Sequence, residues 1–246
     1  MVTPLGPDDT RPLLFADARA SLRESTRALL ATAETLSDDD CRAPSVLPGW
    51  SRGHVLTHLA RNADGLGSLV TWARTGVETP MYASPEARTA DIDSGAGRSA
   101  AALVADLRES SERLDEALGT LDAGALGVEM TLLSGASLEA AEIPVLRRRE
   151  VEIHHVDLDV GYSPDDWPDD FVHLSMELLA PQARASRDVG VRELVDSGGW
   201  AWQVGHGTTD LHGPAGQLLA WLVGRGIGPG LHRTPPGPVP PSPTWV

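Results

Sequence analysis

Hydrophobic residues recur three and four positions apart along most of the first 160 residues, which is the spacing of a helix with one apolar face. In residues 99–121, leucines at positions 103, 107, 114, 118 and 121 follow one such stripe. The same pattern predicts helices over residues 14–36 and 144–159. A further helix is predicted to run to Thr75 after Ser51 as its N-cap, with Gly76 as its C-terminal cap. Four such helices predict an up-and-down bundle.

The segments between these helices are predicted to be irregular. Residues 77–97 contain Pro80 and Pro85, and two prolines so close together argue against a continuous helix. Residues 128–137 are predicted to hold a strand or a hairpin. The second helix is therefore expected to reach the third through a long loop.

The pattern changes after Tyr162. The run Ser-Pro-Asp-Asp-Trp-Pro is typical of a linker, and helices are predicted over residues 169–186 and 214–224. Strand-like pieces at residues 191–196, 201–204 and 208–211 lie between these helices, and the proline-rich tail from residue 235 is predicted to be extended. The sequence thus predicts an α+β protein with a four-helix bundle over residues 1–162 and a small α/β domain over residues 163–246.

Composition and charge narrow the classes of function. The formal net charge of −15 argues against nucleic acid as a partner, because phosphate binding needs a surplus of Lys and Arg. No apolar run reaches the 18 residues of a membrane helix, and residues 1–10 lack the charged and apolar regions of a secretory signal. We expect a cytoplasmic monomer that acts on a small molecule and binds no membrane.

Cys41 is the only cysteine of the chain, so no intramolecular disulfide can form. It follows three aspartates at positions 38–40, whose carboxylates are expected to raise the pKa of the thiol. We therefore interpret Cys41 as an inert, packed residue. Any thiol chemistry must then use a thiol from another molecule.

Two predicted helices carry residues suited to bind one metal ion. Glu150 and His154 lie four residues apart and project from one helix face, in a polar gap between two apolar stripes. His58, on the second helix, borders the apolar face and could add a third ligand. Spacing alone leaves open that Glu150 and His154 are an exposed pair on the surface.

The neighbouring histidines fit the site less well. His54 lies further from the apolar face than His58, and Asn62 follows one turn later, where it could orient its neighbours. His155 is rotated by roughly 140° from Glu150 and cannot share its face. We expect His155 either beside the ligands or on the surface.

Three motifs together resemble the mycothiol-dependent maleylpyruvate isomerase family. They are Leu-Pro-Gly-Trp-Ser-Arg-Gly-His-Val-Leu-Thr-His-Leu-Ala-Arg-Asn-Ala at 47–63, Thr-Pro-Met-Tyr-Ala-Ser-Pro-Glu-Ala-Arg at 79–88, and Arg-Glu-Val-Glu-Ile-His-His-Val-Asp-Leu at 149–158. The first and third resemble a broader superfamily of DinB-like, mycothiol-linked metal proteins, whereas the Pro-Met-Tyr loop is more particular to the isomerases. Leu-Val-Gly-Arg-Gly at 222–226 and the proline-rich tail with Trp245 are also similar to that family. The resemblance covers nearly the whole chain.

The resemblance implies a DinB-like bundle with zinc held by His58, Glu150 and His154, and with water or a thiolate in the fourth place. It implies that Arg88 and Arg225 bind the dicarboxylate substrate beside the thiol cosubstrate mycothiol, and we expect them to meet in a cleft between the domains. The implied reaction converts maleylpyruvate to fumarylpyruvate, in gentisate degradation, by thiolate addition, bond rotation and elimination.

Two other classes of function remain open from the sequence. A mycothiol S-transferase, or a related detoxifying enzyme that uses a thiol, would need the same metal and would conjugate electrophiles. A metal-binding regulator without enzymatic activity would typically use several cysteines, and this chain has one. Turnover of maleylpyruvate, tested against conjugation of electrophiles, distinguishes the two enzymes.

Overall fold

The computed structural model describes residues 7–132, 135–186 and 190–243. The chain has an α+β fold, as the sequence predicts. Long helices accompany two small sheets, one antiparallel with two strands and one mixed with four strands. The chain divides into two compact units, Met1–Gly161 and Tyr162–Val246. Residues 1–6, which belong to the segment predicted to lack a secretory signal, lie outside the described residues. Trp245 of the tail lies outside them as well.

The first unit is built around four long helices. These are α1 (Pro7–Ala33), α3 (Arg52–Thr75), α5 (Ala100–Leu118) and α6 (Ile143–Asp157), with the short α2 (Asp38–Arg42) before α3. Helix α3 packs against both α5 and α6, and α1 packs against the same two helices. The apolar stripes of all four meet in one core, which includes the fully buried Leu59 and Leu107. The core therefore fixes which side of α3 faces α6.

The predicted caps of α3 are confirmed. Ser51 adopts an extended conformation and its side chain accepts a hydrogen bond from the backbone N–H of His54. Gly76 ends the helix with φ of 70°, a conformation that glycine adopts at little cost. Gly53, in the first turn, lies so close to the carbonyl of Ala96 that a Cβ there would stand 2.2 Å from its oxygen.

The prediction of a continuous loop over residues 77–97 is wrong in its second half. Helix α4 occupies Pro85–Gly95. Ser84 caps it by accepting from the backbone N–H of Ala87, and Pro85 stands in the first turn, where its missing N–H costs no hydrogen bond. Pro80 precedes the helix. The two prolines therefore flank the start of a helix and do not interrupt one.

The predicted hairpin is present between α5 and α6. Strand β1 (Glu129–Thr131) pairs antiparallel with β2 (Ser137–Glu139). Met130 and Leu138 are paired across it, and both are buried against the bundle. Residues 133 and 134 of this predicted segment lie outside the described residues.

The second unit combines two helices with a four-stranded sheet. Helix α7 (Asp169–Ser186) and helix α8 (Ala215–Leu222) occupy the predicted segments. The sheet has the order β4-β3-β5-β6, where β3 (Glu193–Asp196) pairs antiparallel with β4 (Ala201–Gln203) and parallel with β5 (Asp210–Gly213). Strand β6 (His232–Thr234), which the sequence did not predict, pairs antiparallel with β5.

The length and apolarity of the described helices decide whether any of them could span a membrane. Within residues 7–132, 135–186 and 190–243, none is both long and apolar enough to cross a bilayer.

Candidate metal centre

Three side chains from two helices converge at one point in the first unit. His58 Nε2, on α3, lies 3.0 Å from Glu150 Oε2 and 3.1 Å from His154 Nε2, both on α6. One ligand atom from each residue lies within 4.8 Å of the others. Two imidazole nitrogens and one carboxylate oxygen are a typical donor set of a zinc site with an open position. The three residues can therefore hold one metal ion.

The packing of α6 against α3 creates this convergence. Glu150 and His154 share one face of α6, and that face is turned towards α3, where His58 is 3% exposed. The side chains of Glu150 and His154 are 26% and 14% exposed. The pair consequently faces His58, and the alternative of an exposed surface pair does not describe it.

Burial and mutual hydrogen bonding set the protonation of the cluster. Burial lowers the pKa of His58 to about 4, so its ring is neutral at pH 7. Burial alone would raise the pKa of Glu150, but hydrogen bonds from His154 and His58 outweigh it and hold the pKa well below its usual range. A neutral imidazole and an ionised carboxylate are the forms that bind a metal.

Asp157 orients His154 from the side away from the cluster. Its Oδ2 lies 2.7 Å from His154 Nδ1, and its side chain is fully buried. Burial alone would lower the pKa of His154, but the hydrogen bonds to Asp157 and Glu150 raise it above the ordinary value. A carboxylate in this place keeps the proton on Nδ1 and leaves Nε2 for a metal. Sequence analysis missed Asp157, although its i,i+3 spacing from His154 was a usable signal.

Arg88 contacts the cluster from α4. Its Nη2 lies 3.1 Å from His58 Nδ1, and its Cζ lies 5.8 Å from the centre of the Tyr82 ring. A guanidinium can only donate, so Nδ1 accepts this bond and the proton of the neutral ring lies on Nε2, facing Glu150. Arg88 was expected in a loop, but it lies in the first turns of a helix. The rigid backbone of α4 positions it.

Arg147 and Tyr82 lie close enough to Glu150 to interact with its charge, and neither was predicted as a site residue, whereas Asn62 was expected to orient its neighbours. Arg147 precedes Glu150 by one turn, is 1% exposed, and donates from Nη1 to Asn62 Oδ1 at 2.8 Å. Burial lowers the pKa of Arg147 to about 10, which leaves it charged at pH 7. Burial also raises the pKa of Tyr82, so its hydroxyl remains a donor. The i,i+3 spacing of Arg147 and Glu150 could have identified Arg147.

Arg225 belongs to the second unit. It follows α8, where its backbone N–H donates to the carbonyl of Ala220 at 2.8 Å and its Nη1 donates to the carbonyl of Val223 at 2.9 Å. Its side chain is half-buried. The described contacts of the cluster involve residues of the first unit, and a role of Arg225 in the site stays a prediction.

The other two histidines near the motifs have structural contacts. His54 is half-buried and its Nδ1 accepts from the backbone N–H of Ser51, so it completes the capping of α3. His155 is buried, with Nε2 at 2.8 Å from the hydroxyl of Thr32 on α1. Of the two places expected for His155, the surface is wrong, because the face of α6 that carries it packs against α1.

Cys41 is packed inside the first unit. It lies on α2 and is 1% exposed. Burial raises the pKa of the thiol most strongly, and the carboxylates of Asp38 and Asp40 raise it further. The predicted cause, nearby carboxylates, is therefore present but secondary.

Comparison with known proteins adds a family and a whole-chain likeness. The family profile described as "Mycothiol maleylpyruvate isomerase N-terminal domain" matches residues 22–159. The chain is similar to the crystal structure of a mycothiol-dependent maleylpyruvate isomerase and to that of a mutant isomerase in which a histidine is replaced by alanine. In each case 28% of residues are identical, 94% of this chain and 97% of the other are covered, and the TM-score is 0.86. No curated protein sequence matches the chain.

Proposed function

Because this chain belongs to the mycothiol maleylpyruvate isomerase family, we propose that it is a zinc- and mycothiol-dependent isomerase that converts maleylpyruvate to fumarylpyruvate. The convergence of His58, Glu150 and His154 within 4.8 Å carries this proposal. The likeness to solved isomerases over 94% of the chain supports it. We place the protein in the cytoplasm as a monomer that acts on a small dianion.

The metal is proposed to be bound by the three converging side chains. Their two nitrogens and one oxygen fit zinc, His58 is neutral at pH 7, and Asp157 fixes the ring of His154. When bound, zinc supplies a Lewis acid that lowers the pKa of a thiol at its open position. No sulfur of the chain is needed, since Cys41 is buried in α2.

The proposed reaction needs no oxidant or reductant. The thiolate of mycothiol adds to the cis double bond, forming a C–S bond while the displaced electron pair moves to the conjugated carbonyl oxygen as an enolate. The former double bond is now single and rotates. The enolate then expels the thiolate, and the double bond re-forms in the trans configuration. The protein must hold two carboxylates and stabilise the enolate charge.

Arg88 and Tyr82 are the described donors best placed for that charge. If His58 held a metal through Nε2, its ring proton would lie on Nδ1, and Nδ1 could no longer accept a hydrogen bond from Arg88. The guanidinium would then be available to a carboxylate in two-point contact. Tyr82 stays protonated because burial raises its pKa, and it can donate to an enolate oxygen. We propose that Arg225 binds the second carboxylate.

We expect Asp157→Asn to weaken zinc binding by about 10- to 100-fold while the helices stay folded. The amide can still meet His154 Nδ1, 2.7 Å away, but it lacks the charge that strengthens the ring as a ligand. Competition with a chromophoric chelator measures the dissociation constant of zinc for each variant. The matched control is Asp159→Asn, an exposed carboxylate two residues later. Equal zinc affinity in both variants would remove Asp157 from the site.

Cys41→Ser is expected to leave turnover with mycothiol unchanged. The thiol is buried and its pKa is raised, so it supplies no thiolate at neutral pH. Initial rates of maleylpyruvate loss, with and without mycothiol, check this. If the variant bound zinc and kept its melting temperature but lost turnover, the nucleophile would be part of the chain and the proposed role of mycothiol would be wrong.

The function itself is tested by supplying maleylpyruvate and an alkylating electrophile to the zinc-loaded protein in separate assays with mycothiol. We expect rapid formation of fumarylpyruvate, no reaction when mycothiol is omitted, and no acceleration of conjugation over mycothiol alone. Accelerated conjugation without isomerisation would instead identify a mycothiol S-transferase, which would use the same metal.

A further inference from the structure

A cavity lies in the first unit on the side of the bundle formed by α1 and α5. Its volume is about 390 Å³, and it opens between α1 and α5 with α6 beneath. Leu22, Leu30 and Leu114 form apolar walls, and Arg147 of α6 is the innermost residue. None of the three converging metal ligands lines it. This volume suffices for a small organic molecule.

Two buried polar atoms of the residues that line this cavity have no hydrogen-bond partner among the described residues. They are Arg147 Nη2 and Ser111 Oγ. Arg147 donates through Nη1 to Asn62, so the partner is missing on one side of the guanidinium only. Buried polar groups are normally paired, and a buried cation needs an acceptor more than a neutral group does. Both atoms are closed to solvent in the structure, so a ligand that brings an acceptor can pair with them once the side chains of Arg147 and Ser111 turn towards the cavity.

The inner end of the cavity favours an anion as that ligand, whereas its rim carries charges of both signs. Arg23 binds both carboxylate oxygens of Asp115 at 2.8 Å, and Arg108 is paired with Glu34. Arg27, exposed at the rim, has no ion pair or hydrogen bond within the described part of the chain. Glu112 and Glu116, also exposed, are the acids of the lining not held by an arginine. The cation at the inner end, Arg147, is attracted by Glu150 and Asp64, which lie outside the lining, and no acid of the lining forms a described hydrogen bond with it.

We propose that this cavity binds a small monocarboxylate with an apolar body of about ten non-hydrogen atoms. The carboxylate accepts hydrogen bonds from Arg147 Nη2 and Ser111 Oγ, and the apolar body packs between the leucines of α1 and α5. Arg27, at the rim of the cavity, attracts the negatively charged ligand at long range. Because Arg147 stands one turn before Glu150 on α6, a ligand here would contact the helix that carries two of the three metal ligands.

Fluorine NMR with 4-fluorophenylacetate as the probe tests the proposal on the zinc-loaded protein. The neutral amide of the same shape, 4-fluorophenylacetamide, is the matched ligand control. We expect the acid to bind at least tenfold more tightly than the amide, because a charge-assisted hydrogen bond is worth about one to two powers of ten in affinity. Saturation transfer should come from the methyl groups of Leu22, Leu30 and Leu114.

Variants then locate the binding. Arg147→Met should weaken binding of the acid by about tenfold or more, and Arg27→Gln by a smaller factor. Arg147→Met also breaks the bond to Asn62, so Thr26→Phe, which fills the cavity from α1, is a second and independent variant that should abolish binding. Arg113→Gln, an exposed arginine of α5 outside the lining, should change nothing.

The metal cluster could also attract a carboxylate, so the same titration is repeated on His154→Ala. We expect an unchanged dissociation constant there, whether or not the protein proves to be an isomerase. The proposal is overturned if acid and amide bind equally, if neither binds at millimolar concentration, or if Thr26→Phe binds as tightly as the original protein. Loss of binding in His154→Ala would also overturn it, since the probe would then be at the metal cluster.

Discussion

His154→Ala is expected to remove zinc from the protein and to reduce maleylpyruvate turnover by about 10³-fold or more. His154 Nε2 lies 3.1 Å from His58 Nε2, and its loss leaves two ligands, fewer than the three protein ligands of a catalytic zinc site. The metal contributes several kcal/mol of charge stabilisation, and about 4 kcal/mol corresponds to that factor. Metal analysis after dialysis and initial rates measure the two effects.

His58→Ala and Glu150→Ala should give the same result, and two other histidines serve as controls. His54→Ala should keep the metal, because His54 contacts Ser51 at the start of α3. His155→Ala should also keep it, although the loss of a buried ring bonded to Thr32 should lower the melting temperature. The bundle should stay folded without metal, because its leucine core holds the helices together. Full zinc occupancy in all three ligand variants would show that the metal binds elsewhere.

Arg88→Ala and Arg225→Ala are each expected to lower kcat/KM for maleylpyruvate by about 10- to 150-fold with zinc content unchanged. A charge-assisted bond to a carboxylate contributes about 1.5 to 3 kcal/mol, which gives this range. Arg88 reaches His58 Nδ1 at 3.1 Å, so its guanidinium already lies beside the cluster. For Arg225 the expectation rests on the family resemblance and on its place after α8.

The control for both variants is Arg74→Ala, which removes an exposed arginine from the last turn of α3. It should alter neither kcat/KM nor zinc content. Arg88→Lys should recover only part of the loss, since an ammonium cannot make the two-point contact of a guanidinium. Unchanged kinetics in Arg88→Ala and Arg225→Ala would place the substrate carboxylates on other residues.

Local patterns in the sequence were sufficient to predict the helices that carry the cluster. Ser51 and Gly76 mark the ends of α3, and helical periodicity places Glu150 and His154 on one face. That His58 meets them depends on how α3 packs against α6, which is a long-range contact. The family resemblance predicted this pairing, whereas spacing alone did not.

The errors in the sequence analysis have local physical causes. Pro80 and Pro85 were interpreted as breaking a helix, but a proline in the first turn after a serine cap favours one. Strand β6 has only three residues, His232–Thr234, which are too few to show the alternation of a strand. Its pairing with β5 is what defines it as a strand. The i,i+3 spacing from Glu150 places Arg147 on the same helix face, but its burial depends on packing that the sequence does not show.

A zinc titration of metal-stripped protein at saturating mycothiol, followed by the rate of fumarylpyruvate formation, tests whether the metal cluster catalyses the isomerisation. We expect turnover to rise in proportion to added zinc, to reach a plateau at about one equivalent per chain, and to stay at background in His154→Ala at every zinc concentration. Full turnover by metal-stripped protein in the presence of a chelator, or equal zinc-dependent turnover in His154→Ala, would show that this metal cluster does not catalyse the reaction.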